Sequence, residues 1–268
     1  MVKKLIFGWL MHPVLGRLAH ALARVGPLEI AADFVTTRIF SGIPFLEPPR
    51  WKASVEQVWD SRAKLNAMLV ATGAADEEQA LASGAWALEN GVLRGLQPDS
   101  TWVVLEIGCG IGNLLRPLAP LVKEAHGVDI SAEMLRKAEE WLRGIPNVGL
   151  HKTDGRLDMF PDGYFDFVFS CLVFIHFPSK PLVYEYFKET ARVLKPGGIF
   201  RFNVDGRNYM RWRRHRGGTI RGVVFTTEEI RENLERHGFR VQDVTGAGSL
   251  DMWVTAVLDR AEPRGPSV

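Results

Sequence analysis

The stretch from residue 103 to residue 112 reads Val-Val-Leu-Glu-Ile-Gly-Cys-Gly-Ile-Gly. Its first part, Val103-Val104-Leu105, is a run of apolar and β-branched residues, typical of a strand buried on both faces. The glycines at 108, 110 and 112 allow a sharp turn and a close approach of the main chain to a ligand. A helical pattern follows from Asn113 to Ala125. The stretch therefore predicts a strand, a tight glycine turn and a helix.

Strand and helix patterns alternate after this turn. The predicted strands cover 125–130, 148–151, 165–170 and 199–204, and the predicted helices between them cover 132–143 and 180–194. The tail predicts a helix over 226–237 and two strands over 239–244 and 252–258, whose short connecting loop favours an antiparallel pair. This order predicts an α/β fold with a doubly wound, mostly parallel sheet covered by helices on both faces.

The residues before this region have a different pattern. Residues 1–98 are interpreted as a mostly helical N-terminal extension or lid, with helices predicted at 54–72 and 76–93. Residues 99–260 are interpreted as the α/β domain, and residues 261–268 as a flexible tail.

The extreme N-terminus carries a short apolar run, Leu5 to Met11, after two lysines. The run is too short to span a bilayer, and no signal-cleavage pattern follows it closely. Apolar residues then recur at helical spacing from Leu15 to Leu22, with basic residues between them. This pattern predicts a helix packed on the domain or, alternatively, a basic amphipathic helix that makes peripheral contact with a membrane or forms a substrate lid.

Composition restricts the classes of function. The chain has 33 Lys and Arg against 31 Asp and Glu, a net charge of +2, which gives no overall argument for nucleic-acid binding. The two cysteines, Cys109 and Cys171, have no C-x-x-C spacing and are interpreted as small apolar fillers in a reducing compartment. We therefore expect a cytoplasmic protein. The sequence makes no prediction of oligomeric state.

The spacing of the glycine turn bears on the cofactor. Dinucleotide-binding turns follow G-x-G-x-x-G, whereas this turn is G-x-G-x-G, with Asn113 where the third glycine would stand. Glu106 precedes the turn, and a carboxylate is unfavourable beside a pyrophosphate but favourable beside a cation. The turn thus favours a positively charged cofactor over the nicotinamide of an oxidoreductase. The alternative is a tight strand-to-helix connection without a ligand.

Two further acids follow strands of the predicted sheet. Asp129 stands 17 residues after Gly112, at the end of the second strand, where a doubly wound sheet places it beside the first turn. A carboxylate there can accept hydrogen bonds from ribose hydroxyls; the alternative is a cap for the next helix, a position that suits Ser131 better. Asp154-Gly155 follows the third strand and can accept from the adenine amine, or form an ordinary turn.

Taken together, these segments resemble the class I S-adenosylmethionine-dependent methyltransferase family. The likeness covers about residues 100–258 and is carried, in order, by residues 103–112, 127–131, 153–155, 165–170 and 193–198. It implies S-adenosylmethionine as the cofactor and a seven-stranded sheet whose last strand is antiparallel. The N-terminal extension lies outside the likeness.

The resemblance also implies roles for particular residues. The implied cofactor-binding residues are Glu106, Gly108, Cys109, Gly110 and Gly112 in the turn, Asp129 at the ribose, Ile130 and Met134 around the adenine, Asp154 and Gly155 at its amine, and Ser170 at the methionine portion.

The segment after the fourth strand is predicted to face the transferred methyl. His176 lies there, and because histidine titrates near neutral pH we interpret it as a general base, with a structural histidine as the alternative. The Asn/Asp-Pro-Pro-Tyr/Phe motif of amino-methylating nucleic-acid enzymes is absent at Ser170-Cys171-Leu172-Val173. A carboxylate at position 170 is also absent. We therefore expect no metal, and these absences disfavour a nucleobase acceptor.

The acceptor site is predicted from the extension and from the insert after the fifth strand. The interpreted substrate contacts are Trp59, Arg62, Phe174, Arg207, Tyr209 and Trp212. Trp59, Asp60 and Arg62 are also candidates to close over the cofactor. Arginine suits anionic groups and aromatic rings can stack, so these residues favour a small-molecule acceptor, anionic or carrier-bound, methylated on O or N. The alternatives are an RNA or protein methyltransferase using the basic loop from Arg207 to Arg221, a solvated loop without function, or a non-catalytic cofactor-binding partner protein.

Overall fold

A computed structural model describes residues 55–74, 76–207 and 222–259, apart from the side chain of Leu69. All of them belong to one compact unit, residues 50–268. Several predictions lie outside the described residues: the basic helix near residues 15–22, Tyr209 and Trp212 with the loop around them, and the tail at 261–268. The domain boundaries at residues 98 and 260 stay predictions.

The described residues form a seven-stranded sheet in the order β3-β2-β1-β4-β5-β7-β6. The strands are β1 (Val103–Ile107), β2 (Glu124–Asp129), β3 (Val148–Lys152), β4 (Phe165–Ser170), β5 (Leu194–Val204), β6 (Phe239–Thr245) and β7 (Met252–Leu258). Strands β1 to β5 pair in parallel, and β7 is antiparallel to both of its neighbours. The predicted doubly wound sheet with an antiparallel last strand is confirmed.

The helices follow the sequence pattern except after the glycine turn. They are α1 (Val55–Thr72), α2 (Glu77–Ala87), α3 (Leu115–Leu118), α4 (Ala132–Trp141), α5 (Lys180–Val193) and α6 (Thr227–Arg236). Asp76 caps α2 by accepting from the Gln79 N–H, and a π-helical turn, Leu88–Val92, continues it. The expected N-cap region of α6 is present as a capping box between Thr226 and Glu229.

The prediction of one helix over 113–125 is wrong. The α-helix covers only Leu115–Leu118, a 3-10 turn follows at Ala119–Leu121, and β2 already begins at Glu124. Pro120 explains the early stop, because proline has no N–H to continue the helical hydrogen bonds. The fifth strand also differs from the prediction, because it begins at Leu194 instead of residue 199. Leu194 pairs with Phe165 of β4.

The two faces of the sheet bury different side chains. One face packs a cluster of aromatic rings that includes Phe165, Phe174, Phe187, Phe200 and Phe202. The other face packs mainly aliphatic residues from the segment that follows α2, from α3 and from α4, together with Phe167 and Phe169. The neighbours Phe167, Val168 and Phe169 of β4 enter opposite cores in turn, as the two-residue period of a strand requires, and the register shift between Phe165 and Phe167 takes Phe165 out of this alternation. A sheet buried on both sides leaves its carboxyl edge as the place for a site.

Candidate functional site at the carboxyl edge of the sheet

The β1 turn, residues 106–112, is shaped by three glycines. Gly108, Gly110 and Gly112 have φ values of +75°, +53° and +79°, in the region that favours glycine. The N–H groups of Gly108 and Cys109 both donate to the carbonyl of Val128, at 2.8 and 3.0 Å, and fix the turn to β2. A side chain at position 108 would stand 2.4 Å from Val173, so the approach of these two loops requires glycine there.

Glu106 is the buried acid at the entry of this turn. It is 3 % exposed, and its Oε2 atom has no hydrogen-bond partner within the described residues. Burial raises its pKa well above the usual range, and the charge of Asp129 raises it further. A buried acceptor without a partner is costly for the protein alone. The position therefore fits a ligand with an ammonium and a sulfonium group, which would supply the missing positive charge.

Asp129 ends β2 beside the turn. One carboxylate oxygen accepts from the N–H of Gly110 at 2.9 Å, and the other accepts from the N–H of Ser131 at 2.8 Å. Burial raises the pKa of Asp129, while these backbone donors lower it. Ser131, not Asp129, caps α4 by accepting from Met134 N–H at 3.1 Å. Each oxygen of Asp129 retains a further lone pair for a ligand hydroxyl.

The residues predicted to contact adenine differ in their exposure to solvent. Asp154 is exposed and forms an ion pair with Arg156 at 2.8 Å, which lowers the pKa of Asp154. Met134 is 3 % exposed and packs with Ala63 and Ala67 of α1. Helix α1 therefore lies against Met134, where an adenine contact is expected, whereas Asp154 beyond β3 is open to solvent.

Helix α1 is fastened to this edge by polar contacts. Asp60 accepts from the Ser131 hydroxyl at 2.5 Å and from the N–H of Glu133 at 3.3 Å. Glu56 pairs with Lys152 at the end of β3, at 2.6 Å. These contacts place the N-terminal part of α1 beside the ends of β2 and β3.

The β4 loop, residues 171–177, forms the other side of the site. Ser170 is buried, and its hydroxyl donates to the carbonyl of Ile107 at 3.2 Å. Leu172 has a φ of +59°, unusual for a side chain of this size, and its N–H donates to Asn203 at 2.7 Å. Sequence patterns missed this conformation, because Asn203 is distant in the chain.

The structure brings three of the predicted acceptor-side residues together. The ring of His176 lies edge-on to Trp59 with 5.2 Å between centroids, and the guanidinium of Arg62 lies 5.0 Å from the Trp59 ring centre. His176 and Trp59 are both half-buried. This Trp59–His176 pair joins α1 to the β4 loop.

Two predicted substrate contacts need correction. Phe174 is fully buried among Phe177, Phe187 and Phe202, so its ring belongs to the core and is not available to a substrate. Arg207 is 6 % exposed and donates to both oxygens of Asp205, at 2.9 and 2.7 Å. Because this carboxylate compensates its charge, Arg207 is a buried ion-pair partner instead of the start of an exposed basic loop.

The described ranges contain no group of three or more His, Cys, Asp or Glu side chains arranged to hold a metal ion. None of their helices is long and apolar enough to cross a membrane.

Comparison with known proteins identifies the domain. Residues 104–198 match the family model described as a methyltransferase domain. A 2-methyl-6-phytyl-1,4-hydroquinone methyltransferase of a Synechocystis species is 37% identical over 41% of this chain and 33% of its own length. A tRNA (guanine-N(7)-)-methyltransferase of a Caulobacter species is 34% identical over 44% of this chain and 58% of its own length. The chain thus spans less than two thirds of either relative.

A solved structure agrees with these matches. The SAM-dependent methyltransferase from Aquifex aeolicus superposes with a TM-score of 0.51 and 25% identity, over 65% of this chain and 93% of that one. The strand order, the glycine turn with its two acids and the matched domain together lead to one conclusion: the chain contains a methyltransferase domain and resembles the class I S-adenosylmethionine-dependent methyltransferase family.

Proposed function

We propose that this protein transfers a methyl group from S-adenosylmethionine to an oxygen or nitrogen atom of a small-molecule acceptor, without a metal ion. The observation that carries the cofactor assignment is the unpartnered, buried oxygen of Glu106 beside the glycine turn. A pyrophosphate would be repelled at this position, whereas a cationic group is attracted. When bound, S-adenosylmethionine supplies a methyl group that its sulfonium already activates.

The residues of the carboxyl edge have distinct roles in this proposal. Glu106 offers its carboxylate to the positive end of the cofactor, and Asp129 accepts from the ribose hydroxyls. Asp154 accepts from the adenine amine once it releases Arg156, because solvent weakens an exposed ion pair of this kind. Binding of this kind mainly positions the reacting atoms, which is the larger part of catalysis for an activated group.

The acceptor enters beside the Trp59–His176 pair in this proposal. His176 takes the proton that the acceptor loses, and the indole of Trp59 holds the imidazole from one side. Arg62 lies over the same indole and provides a positive charge for an anionic acceptor. The Synechocystis relative is named for a hydroquinone substrate, which supports a small acceptor with an ionisable hydroxyl.

An RNA acceptor is the second candidate, because the Caulobacter relative is named for tRNA. The buried Asp205 pairing of Arg207 weighs against it, since this arginine is already neutralised. The remaining basic residues of the loop lie outside the described residues. Binding of RNA that falls steeply with salt concentration would favour this candidate over a metabolite acceptor.

The test combines calorimetry with a methyl-transfer screen. We expect S-adenosylmethionine to bind and NAD not to bind. Transfer of labelled methyl is then screened across metabolite extracts and total RNA. Asp129→Ala should weaken cofactor binding about a hundredfold, because hydrogen bonds to a charged group contribute about 1.5–3 kcal/mol each. Asp162→Ala, the same change at an exposed position, serves as the control.

The outcomes separate the alternatives. Tight binding of NAD without binding of S-adenosylmethionine would overturn the proposal. Unchanged affinity in Asp129→Ala would remove the ribose assignment. Cofactor binding without label transfer to any extract would support a non-catalytic cofactor-binding protein instead.

A further inference from the structure

Arg201 is a buried arginine in the middle of β5, remote in sequence from the residues of the proposed cofactor site. It is 4 % exposed. Its Nε donates to the carbonyl of Gly91 at 3.0 Å, its Nη1 donates to the Thr255 hydroxyl at 2.6 Å, and its guanidinium carbon lies 5.3 Å from the centre of the Trp253 ring. All three partners are neutral.

The charge of Arg201 lacks a compensating acid. No carboxylate forms an ion pair with it in the described part of the chain, and its Nη2 has no hydrogen-bond partner there. Burial lowers the pKa of Arg201; Asp243 opposes this effect and Arg94 adds to it. Buried charges in proteins are normally paired, because removing an ion from water is unfavourable even after the protein relaxes. Arg207 shows the paired case in the same chain, with Asp205 at 2.7 Å.

A groove of about 950 Å³ opens beside this guanidinium. Its apolar lining includes Trp86 and Leu121, which are 67 % and 41 % exposed. Exposed Arg94 adds a second positive charge to the lining, and Glu89 and Asp251 contribute two acids. The volume lies within the range of small-molecule sites, and the combination of apolar walls with one directed polar group is typical of them.

Residues behind Arg201 hold its guanidinium group in place at the groove. The Gly91 carbonyl that holds Nε belongs to the π-helical turn after α2, and such turns are frequent at functional sites. A side chain on Gly91 would stand 2.9 Å from the Trp253 ring, so glycine lets this ring pack there. The guanidinium is thus fixed on three sides, with Nη2 left for a ligand.

We infer that this Arg201 groove binds an organic anion, with a carboxylate or phosphate head on Nη2 of Arg201 and an apolar body along Trp86 and Leu121. The negative charge of this head group compensates the positive charge of Arg201. The groove shares no residue with the β1 turn or the Trp59–His176 pair. The site is therefore a second one, and the inference holds whether or not the proposed methyl transfer does.

Calorimetry on the full chain tests the inference with decanoate, decyl phosphate and, as the uncharged match, decanol, all below micelle-forming concentrations. We expect both anions to bind at least tenfold more tightly than decanol. The tighter of the two identifies the head group. Arg201→Gln should weaken anion binding at least tenfold, and Arg240→Gln, an exposed arginine on β6, should leave it unchanged.

A second pair of variants leaves Arg201 intact, in case its replacement unfolds the protein. Leu121→Asp adds a negative charge to an exposed wall position and should weaken anion binding at least fivefold. Glu89→Lys reverses a charge on the lining and should strengthen it. Equal affinity for decanol and decanoate, no binding of either anion, or unchanged affinity in Leu121→Asp would overturn the inference and leave Arg201 as a structural clip. S-adenosylmethionine affinity, measured on the same samples, tests the proposed function separately.

Discussion

The β1 turn and the β4 loop pack against each other at the carboxyl edge of the sheet, yet they are built differently. Main-chain geometry shapes the β1 turn: glycines with positive φ, and N–H groups that donate to Val128 and Asp129. Side chains from distant segments shape the β4 loop, where Asn203 holds Leu172 and Trp59 of α1 lies against His176.

This difference in construction suits the two segments to different roles, cofactor binding and acceptor selection. A turn made by its own backbone changes little when the rest of the chain changes, which suits a cofactor that does not vary. A loop held by an added helix takes its shape from that helix, which suits the choice of acceptor. Val173 lies close to Gly108 where the two segments meet, so substitutions at this contact test whether the segments are coupled.

Gly108→Ala should have the largest effect. The substitution places a side chain 2.4 Å from Val173 at a φ of +75°, so it adds both crowding and backbone strain. Together these should lower the free energy of unfolding by about 3 kcal/mol and abolish measurable cofactor binding. Chemical denaturation and calorimetry with S-adenosylmethionine provide the two measurements.

Gly144→Ala is the matched control, because Gly144 has a φ of +85° with no atom within 4 Å of an added side chain. It should cost only about 1 kcal/mol and leave cofactor binding unchanged. Adding Val173→Ala to Gly108→Ala should recover the part of the loss that comes from crowding. Equal losses at positions 108 and 144 would show that the two loops are not coupled through this contact.

His176→Ala tests the β4 loop and should have the next largest effect. Loss of a general base typically lowers kcat by about a hundredfold or more, and kcat of this variant should fall while cofactor affinity stays unchanged. A structural role would instead change stability and KM together.

Trp59→Phe is the companion control for His176, since it retains a ring against the imidazole. It should alter KM more than kcat. Turnover retained in His176→Ala would remove the general-base proposal, and the Trp59–His176 contact would then serve only to hold α1 on the domain.

The same contrast explains what the sequence could predict. The succession of strands and helices along the chain and the positions of Glu106 and Asp129 follow from local patterns, and the seven-stranded sheet follows from the family resemblance. Pro120 shortened one helix, a local signal that the helical pattern concealed. Phe174 and Arg207 were misplaced for another reason: their burial depends on Phe202 and Asp205 within the folded core, and periodicity does not reveal which aromatic or charged residue finds such partners.

Glu106→Gln should have the smallest effect of these substitutions. It tests whether Glu106 releases a proton when the cofactor binds. Burial raises the pKa of Glu106, so the free protein keeps this acid protonated to a higher pH than usual. A bound cation favours the carboxylate, so binding of S-adenosylmethionine should release a proton, and affinity should rise with pH through the raised pKa. Glutamine mimics the protonated acid, and the variant should bind about tenfold more weakly at pH 7.

The proton release is measured by calorimetry in two buffers of different ionisation enthalpy between pH 5 and 7, below the usual α-amino pKa of about 7.7–8.0, so that the ligand amine stays largely protonated. Asp129 lies nearby with a raised pKa of its own, so the difference between native protein and Glu106→Gln isolates Glu106. S-adenosylhomocysteine, which lacks the sulfonium charge, should release fewer protons. If Glu106→Gln released as many protons as the native protein, Oε2 of Glu106 would not be the cation-binding group. Cofactor binding would then depend on the main chain of the β1 turn and on Asp129 alone.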